Sequence, residues 1–585
     1  MAKITLLILL LICAVPAVLS QNLVIEGRIL NKRTSEPVAF ANVFNKSLAN
    51  GTISNSDGYF RIKIAAPTDT VQITSIGFKP FNIELHTGLA FYAIELEENI
   101  QMLKEAIVSP GDDAYLYDVV QKCRKSNPLA HQKAKAYYEL KSFVDSNQIE
   151  LVEGYYTLDI DGYKLSALQM KAGRLALRQH DNRYFASLES SRAIMMLDLF
   201  NSSEYFPSNP LELAKNKLKQ CYHLTLDNVY LEPTSDSIYV IHYTPKQSQG
   251  RFFEGTLWIN KTTSQLIKIS LICEQAVVHP FLPMFPSDSI SKVSFNIIQS
   301  FKLLDNGQSV FNHTDFIYQV DYKSRIGKLE EEHFSVQTNA LLYAYSFDEL
   351  FFQPLFKFND NALSDYRMIN ALPYNDFFWS NNDEYRLHDS VNTNELFFAD
   401  SGTVTNRSLF KANEFATKGL FEHPYARWSE RRIKLREVVA DTIIINRSSD
   451  PKAVQYNLDV KLFVDLNTYS DSTSILTAAI FDPYESYYAL PMDNKTHCFV
   501  NVYFDLCEIK RRALEAEIQA ANWDPLLIQA IYDEYTRTLE GELNGYLKAV
   551  QRGTNLSEMR KYCGMVNEKL GIDNYAFFKL FDNEE

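Results

Sequence analysis

Residues 24–85 of this chain alternate apolar and polar side chains over short runs, and turns that contain glycine separate these runs. An alternation with a period of two is typical of strands that bury one face, and Asp57-Gly58 is a frequent hairpin turn. The pattern predicts strands over residues 24–30, 37–44, 59–64, 70–75 and 81–85, with a further strand starting at Gly51. Strands this short need a second sheet to pack against, so we expect a small sandwich of about seven strands.

The first 20 residues carry the features of a removable export signal. Lys3 provides the only charge, an apolar run covers residues 4–14, and Pro16 follows it. This arrangement predicts a signal peptide over residues 1–20 that is cleaved after Ser20. Lipidation of Cys13 is the rival interpretation, which the bulky Ile12 disfavours because a small residue is needed at that position. No later segment has the roughly 20 consecutive apolar residues of a spanning helix, so we expect no transmembrane helix after the signal peptide.

Charge and cysteine spacing disfavour several classes of function. A net charge of -14 argues against binding to nucleic acid or to anionic lipid, because both need clustered Lys and Arg. No C-x-x-C pair is present, which argues against zinc ribbons and thioredoxin-like sites. The mature chain has an even set of cysteines that either form disulfides in an oxidising compartment or stay unpaired in the core: Cys123, Cys221, Cys273, Cys498, Cys507 and Cys563.

The N-terminal strands resemble a known module. The resemblance is carried by Gly27-Arg-Ile, Glu36-Pro-Val-Ala-Phe-Ala-Asn-Val, Gly51-Thr, Asp57-Gly-Tyr-Phe and Ser75-Ile-Gly-Phe, which are similar to the carboxypeptidase-regulatory-like domain. It covers residues 21–98 and implies a transthyretin-like β-sandwich without catalytic residues, found at the front of many bacterial envelope proteins. Together with the signal peptide, it predicts an exported protein in the periplasm, or one that is associated with the outer membrane or extracellular.

The middle of the chain predicts one large antiparallel sheet. A linker and an amphipathic helix cover residues 99–130; the helix spans 113–126 and has Tyr115, Val119, Val120 and Cys123 on one stripe. Residues 131–358 then contain alternating runs at 137–144, 154–161, 239–244, 252–259, 265–273, 293–304 and 310–322. The segments 253–261 and 266–269 resemble the curved sheet of lipoprotein-carrier-like proteins, which implies that the concave face holds an apolar ligand such as an acyl chain or a peptide.

Two alternatives remain open for that concave face. The first is the ligand site that the resemblance implies. The second is a face filled by the chain's own helix and by a phenylalanine cluster, Phe351, Phe352, Phe356 and Phe358, because buried aromatic side chains are far more often core than ligand cradle. Residues 359–430, rich in Asn, Asp, Ser and Phe, are expected to be a linker or docking segment.

The C-terminal region, residues 431–585, predicts an α+β domain. Strands are expected at 442–445, 456–464 and 474–481, and a helix at 505–521. Asp524 and Pro525 are a typical helix start, and Gly571 is expected to end a last helix over 557–570. The whole chain is therefore predicted to be mainly β and multi-domain, with an N-terminal sandwich, a central curved antiparallel sheet and a C-terminal α+β domain.

The C-terminal domain also resembles a family of bacterial zinc-dependent proteases, on Phe481-Asp-Pro-Tyr-Glu-Ser-Tyr-Tyr and Phe504-Asp-Leu-Cys-Glu-Ile. The helix of that family carries H-E-x-x-H-F-D, in which two histidines bind zinc and the glutamate activates water. Phe499, Val500 and Tyr503 occupy those three positions here, so the resemblance implies a degenerate domain. The remaining weak candidates for a metal site are His497, Asp505 and Glu508.

These observations favour a non-enzymatic envelope protein without cofactor. It is expected to bind a protein, a peptide or a lipid-like partner through its curved sheet or its C-terminal domain. The alternative is a metal-dependent hydrolase or peptidase with a non-standard site in the C-terminal domain. The sequence names neither the ligand nor the oligomeric state.

Overall fold

A computed structural model gives the fold of the chain between residues 23 and 580. The residues it describes exclude 1–22, 48–49, 56, 65–66, 87–90, 100–113, 127–130, 179–189, 232–236, 248, 284–287, 305–306, 308, 325–330, 348–349, 357–364, 366–367, 370–371, 383–392, 400–425, 430–431, 434–455, 470–471, 483–485, 489–492, 522 and 581–585. The predicted signal peptide, Cys13 and the predicted strand at 442–445 lie outside the described residues. Among the helices that are described, none combines the length and the apolar character needed to cross a membrane.

The N-terminal strands form two small sheets. The strands are β1 Leu23–Asn31, β2 Asn42–Asn45, β3 Asn50–Ile53, β4 Tyr59–Ile64, β5 Thr68–Thr74, β6 Phe81–His86 and β7 Phe91–Leu96. One sheet has the order β4-β1-β7 and the other the order β3-β2-β5-β6. Gly58 lies in the predicted turn with a φ of 81°, and a Cβ there would come within 2.4 Å of the Ile29 carbonyl oxygen. The expected number of about seven strands agrees with the structure, although β2 begins at Asn42 and not at residue 37, and β7 had no predicted segment.

Ten antiparallel strands form the central sheet. They are β8 His131–Val144, β9 Asn147–Asp161, β10 Lys164–Leu177, β11 Tyr222–Leu231, β12 Ser237–Pro245, β13 Glu254–Asn260, β14 Leu266–Cys273, β15 Ser289–Leu303, β16 Ser309–Ser324 and β17 Glu332–Ser346. Their order is β10-β9-β8-β17-β16-β15-β14-β13-β12-β11, so β17 pairs with β8 and joins the two halves. The large antiparallel sheet is confirmed; β10, β11 and β17 were missing from the sequence prediction.

One face of this sheet, which we call the α1 face, is apolar and is covered by the chain itself. Helix α1, Ala114–Lys125, packs Leu116, Val120 and Cys123 into the core that contains Leu140, Leu257 and Phe316 of the sheet. The spacing of 116, 120 and 123 matches one side of an α-helix, whereas Tyr115 of the predicted stripe is exposed. Two short helices, α2 Ser190–Met196 and α3 Lys215–Cys221, contribute Ile194 and Leu218 to the same core.

The C-terminal domain packs helices against a small sheet. Strands β18 Ala426–Arg427, β20 Val460–Tyr469 and β21 Ser472–Phe481 form one sheet, and β19 Tyr456–Asn457 pairs with β22 Tyr487–Tyr488. Two short helices, α4 Asp376–Asn381 and α5 Thr393–Ala399, precede it, and four follow: α6 Asn494–Ala520, α7 Pro525–Val550, α8 Leu556–Leu570 and α9 Asn574–Phe577. The predicted mainly β, multi-domain fold class with a C-terminal α+β region is confirmed.

The helix boundaries show where capping signals decide the fold. Asp524 accepts hydrogen bonds from the first turn of α7, and Gly571 ends α8 with a φ of 75°, both as predicted. The predicted start of α6 at residue 505 is wrong, because Asp493 caps the helix by accepting from the Thr496 amide at 2.8 Å. The first turns of α6 are buried almost all round, so they show no amphipathic pattern in the sequence.

Candidate functional site

The central sheet carries its chemistry on the face opposite α1, which we call the distal face. Cross-strand partners point their side chains to the same side of a sheet, so the register defines rows across it. One row is Trp258, Lys268, Ser300, His313, Tyr343, Tyr137 and Tyr155. The next is Thr256, Ser270, Ile298, Asp315, Leu341, Glu139, Glu153 and Arg174.

The half of the distal face on β8, β9 and β10 is covered by side chains of helices α4 and α5. Arg174 is 3% exposed and donates to Glu153 at 2.6 Å and to Glu395 of α5 at 2.6 Å. Its guanidinium lies 4.5 Å from the ring centroid of Trp379 in α4. Tyr137 donates to Glu153 at 2.9 Å. These bonds satisfy buried charged groups, so this half is a closed interface.

The predicted phenylalanine cluster is divided: Phe351 lies on the distal face, whereas Phe356 packs against the core that also contains the buried side of α1. Phe351 makes an edge-to-face contact with Tyr155 of the distal face, with the two ring centroids 6.2 Å apart. Phe356 makes a similar contact with Phe463 of β20, with a centroid distance of 5.9 Å. Phe352 packs against the C-terminal core, and Phe358 is outside the described residues. The expectation that these rings fill the same face as the helix is therefore wrong for Phe351, because strand register directs Tyr155 to the opposite side.

The half of the distal face on β13 to β16 remains accessible. Five of its half-buried side chains form what we call the open patch: Trp258, Lys268, Ile298, Asp315 and Ile317. Exposure increases along the strands, from the buried Ser300 and His313 to the exposed Asn296 and Ile272. The patch combines two opposite charges and two isoleucines with an indole, a group that is enriched at protein interfaces.

The two charged groups of the open patch perturb each other's ionisation. The Lys268 ammonium lies 5.0 Å from the ring centroid of Trp258, and burial lowers its pKa. Burial raises the pKa of Asp315 to about 7, against the opposing effect of Lys268. Lys268 forms no ion pair or hydrogen bond with any residue that the structure describes. Perturbed ionisable groups in a half-buried surface are typical of binding or catalytic sites.

We predict a pH-dependent stability from Asp315. The unfolded carboxyl titrates near ~3.9, so between about pH 4 and pH 7 the folded state binds more protons and the stability falls as the pH rises. Asp315→Asn is therefore expected to exceed the wild type in unfolding free energy at pH 8 and to match it at pH 4. Urea unfolding at a series of pH values measures this, and a difference that does not change with pH would contradict it.

A serine and a histidine lie beside the open patch. Ser300 Oγ and His313 Nδ1 are 2.6 Å apart, and Asn312 lies 3.2 Å from the same ring nitrogen. Burial, and then the nearby Lys268, lower the pKa of His313 to about 3. A histidine with such a low pKa is a weak base at neutral pH, so this pair is suited to holding the strand ends together and unsuited to activating a nucleophile.

The three residues that the predicted protease resemblance aligns with the two histidines and the glutamate of H-E-x-x-H lie in the C-terminal core. Phe499 stacks on Tyr546 of α7 with ring centroids 5.6 Å apart, and Val500 is fully buried. Tyr503 donates to the Leu458 carbonyl at 3.0 Å. Burial raises the pKa of Tyr503 above its usual range. These three side chains act as packing residues of α6.

The three weak metal candidates share α6 but bind different partners. Asp505 accepts from Arg432 at 2.8 and 2.9 Å, from Trp428 at 2.7 Å and from Asn574 at 2.6 Å. Glu508 accepts hydrogen bonds from Arg511 and Arg512. His497 stacks on Phe578, with the two ring centroids 6.3 Å apart. Across the described ranges, no group of three or more His, Cys, Asp or Glu side chains could hold a metal ion.

Sequence reasoning missed the open patch. Its residues come from four strands between positions 258 and 317, and each reads as an ordinary member of an alternating strand. The one available signal was the polar side of β14 and β16, where Lys268 stands between two isoleucines and Asp315 between Thr314 and Phe316.

Comparison with known proteins gives one family match, at the N-terminus. No curated protein matches the chain. Among solved structures, the MucA/MucB complex of Pseudomonas aeruginosa is similar with 11% identity, 39% of this chain and 93% of that chain covered, and a TM-score of 0.15. A LolA superfamily protein of Nitrosomonas europaea has 10% identity, coverage of 40% and 93%, and a TM-score of 0.16. A DUF1329 family protein of Desulfovibrio piger has 12% identity, coverage of 43% and 93%, and a TM-score of 0.15.

Residues 25–108 match the CarboxypepD_reg-like domain, which confirms the resemblance predicted for the N-terminal strands.

Proposed function

We propose that this chain is an exported binding protein of the cell envelope, and that its open patch binds a polypeptide segment through a carboxylate. The observation that carries the proposal is Lys268, a half-buried ammonium beside an indole. Asp315 is a nearby opposite charge, but the ammonium has no counter-ion within ion-pair distance among the described residues. A carboxylate of the partner supplies that counter-ion, and Trp258, Ile298 and Ile317 pack against its apolar side chains. Export rests on the predicted signal peptide at residues 1–20.

The two faces of the sheet favour a polypeptide over a lipid-like partner. An acyl chain needs a continuous apolar enclosure, and on the α1 face Leu116, Val120 and Cys123 already occupy that volume. The open patch alternates polar and apolar side chains, which suits the alternating side chains of an extended peptide. Asp315 supports the choice of an anion, because its raised pKa leaves part of the population protonated near neutral pH, able to donate a hydrogen bond to a carboxylate.

The proposal is tested by selecting peptides from a displayed library on the purified chain and measuring the selected peptides by calorimetry. Each peptide is synthesised twice, with its acidic side chains as carboxylates and as amides. We expect the carboxylate form to bind about ten- to a hundredfold tighter, as a charge-assisted hydrogen bond in a half-buried site predicts. Equal affinity of the two forms, or a selection that yields no binder, would contradict the proposal.

Lys268→Met is predicted to weaken binding of the selected peptide by about ten- to a hundredfold, because the substitution removes the charge and keeps the aliphatic stem. Trp258→Ala is expected to weaken binding of the same peptide by a similar factor, because tryptophans often contribute much of the binding energy at interfaces. Lys292→Met, on the exposed end of β15, is the matched control and should bind like the wild type.

A lipid-like partner would give a different result. A fluorescent fatty acid is titrated into the wild type and into both patch variants. Tight binding that is insensitive to Lys268 and Trp258, without a peptide of comparable affinity, would place the ligand on the α1 face and refute the open patch.

A further inference from the structure

Two cysteines of the C-terminal domain lie in contact. Cys498 of α6 and Cys563 of α8 place their sulfur atoms 3.7 Å apart, and the two residues are 0% and 2% exposed. Both are thiols in this structure. The other four cysteines of the mature chain, all in the described part of it, contact no second sulfur: Cys123, Cys221, Cys273 and Cys507.

We propose that Cys498 and Cys563 form a disulfide in the exported protein and that the other four cysteines remain thiols. The bond requires the sulfur atoms to approach from 3.7 Å to about 2.05 Å, which is a short movement of two side chains already in contact. The proposal rests on export to an oxidising compartment and is independent of the partner of the open patch.

The reaction is an exchange with a disulfide-bearing oxidant, either a protein oxidase or a small disulfide. The thiolate of one cysteine attacks the oxidant, forms a mixed disulfide and releases one thiol of the oxidant. The second cysteine of the chain then attacks this mixed disulfide, so the Sγ–Sγ bond forms and the oxidant leaves as a dithiol or two thiols. Two protons leave the chain, and two electrons pass to the oxidant.

Burial dictates when this exchange takes place. The contact with Cys563, followed by burial, raises the pKa of the Cys498 thiol far above its usual range, so the packed Cys498 has almost no thiolate. Cys563 is buried beside it, so an oxidant in solution does not reach either sulfur of the packed pair. The oxidant therefore reacts before α8 packs on α6. Once formed, the disulfide is shielded from reductants in solution, because both residues are buried.

The cross-link would enclose the longest helical hairpin of the domain. The loop between Cys498 and Cys563 contains the rest of α6 and all of α7, a sequence separation of 65 residues. Tyr546 of α7 stacks on Phe499 within this loop, next to the cross-link. A disulfide at this position restrains three helices together.

The test counts thiols in the wild-type chain. The chain is fused to a signal sequence of a bacterial expression host, so that it is exported to the host's periplasm. The purified protein is denatured in the presence of an alkylating agent and in the absence of reductant. It is then digested and analysed by mass spectrometry. We expect a cross-linked peptide pair containing Cys498 and Cys563, lighter by two hydrogens, and alkylation at the other four cysteines. Six alkylated cysteines, or a cross-link between any other pair, would overturn the proposal.

A second measurement compares unfolding with and without reductant. Reductant is expected to lower the unfolding midpoint of the exported wild type and of Cys507→Ser, a variant of a buried cysteine on the same helix. The midpoint of Cys563→Ser should not respond to reductant. A wild-type midpoint that is insensitive to reductant would argue against the cross-link even if the variant fails to fold.

Discussion

Asp505→Asn is expected to destabilise the C-terminal domain by about 3–5 kcal/mol, the usual cost of removing one partner of a buried ion pair. The side chains of Asp505 and Arg432 are 1% and 3% exposed. The amide has nearly the same size as the carboxylate, so the loss reports the charge and its bonds. Urea unfolding measures it, and Trp428, which donates to Asp505 at 2.7 Å, provides the fluorescence signal.

The control for this prediction is an acid-to-amide change in an exposed pair. Glu534 and Arg537 form an ion pair on α7 with side-chain exposures of 55% and 72%. Glu534→Gln should therefore change stability by less than about 1 kcal/mol. If Asp505→Asn costs no more than Glu534→Gln, Asp505 does not hold Trp428 and Arg432 on α6, and its role as a structural anion is refuted.

Lys171→Met is expected to lower the free energy of unfolding by about 3–5 kcal/mol, because it also removes one partner of a buried ion pair. This pair lies at the junction of the central sheet and the C-terminal domain. The Lys171 ammonium is buried, forms an ion pair with Asp465 of β20, and donates to the carbonyls of Phe352 at 2.7 Å and Leu466 at 2.9 Å. Both ends belong to one compact unit of the chain. The variant leaves the Asp465 carboxylate buried without its cation. Thermal unfolding together with hydrogen exchange of β20 measures the loss.

A double variant separates the charge from the packing at this junction. Lys171→Met combined with Asp465→Leu removes both charges and should recover most of the stability, because an apolar pair of similar size can replace a buried ion pair. Lys164→Met, an exposed residue at the start of β10, is the single-site control. Equal losses in the double and single variants would show that the carbonyl contacts of Lys171, and not the buried charge, dominate.

Part of the fold could be predicted because it follows from local periodicity. Strands such as β4 and β13 bury one face, so their sequences alternate, and α7 and α8 carry caps that mark their ends. Strand β10 was missed because both of its faces are buried from Met170 to Leu177, which removes the alternation. Two register shifts in β10 disturb the period further.

The candidate site depends on register, which the sequence does not encode locally. Lys268 and Asp315 are neighbours only because β14 pairs with β15 and β15 with β16 at a fixed register. A slip of one residue would place Asp315 on the α1 face, in an apolar core. The same applies to Asp505, whose partners come from residues 428, 432 and 574.

The sequence by itself determined the mainly β class, the sandwich at the N-terminus, the helix caps and the absence of the H-E-x-x-H histidines and glutamate from α6, since these features depend on residue type and short-range spacing. The tertiary structure alone decided which face of the central sheet is filled by α1, which half of the other face is accessible, and which cysteines touch. Those outcomes depend on long-range strand pairing and packing, where residues far apart in the chain compete for the same buried volume.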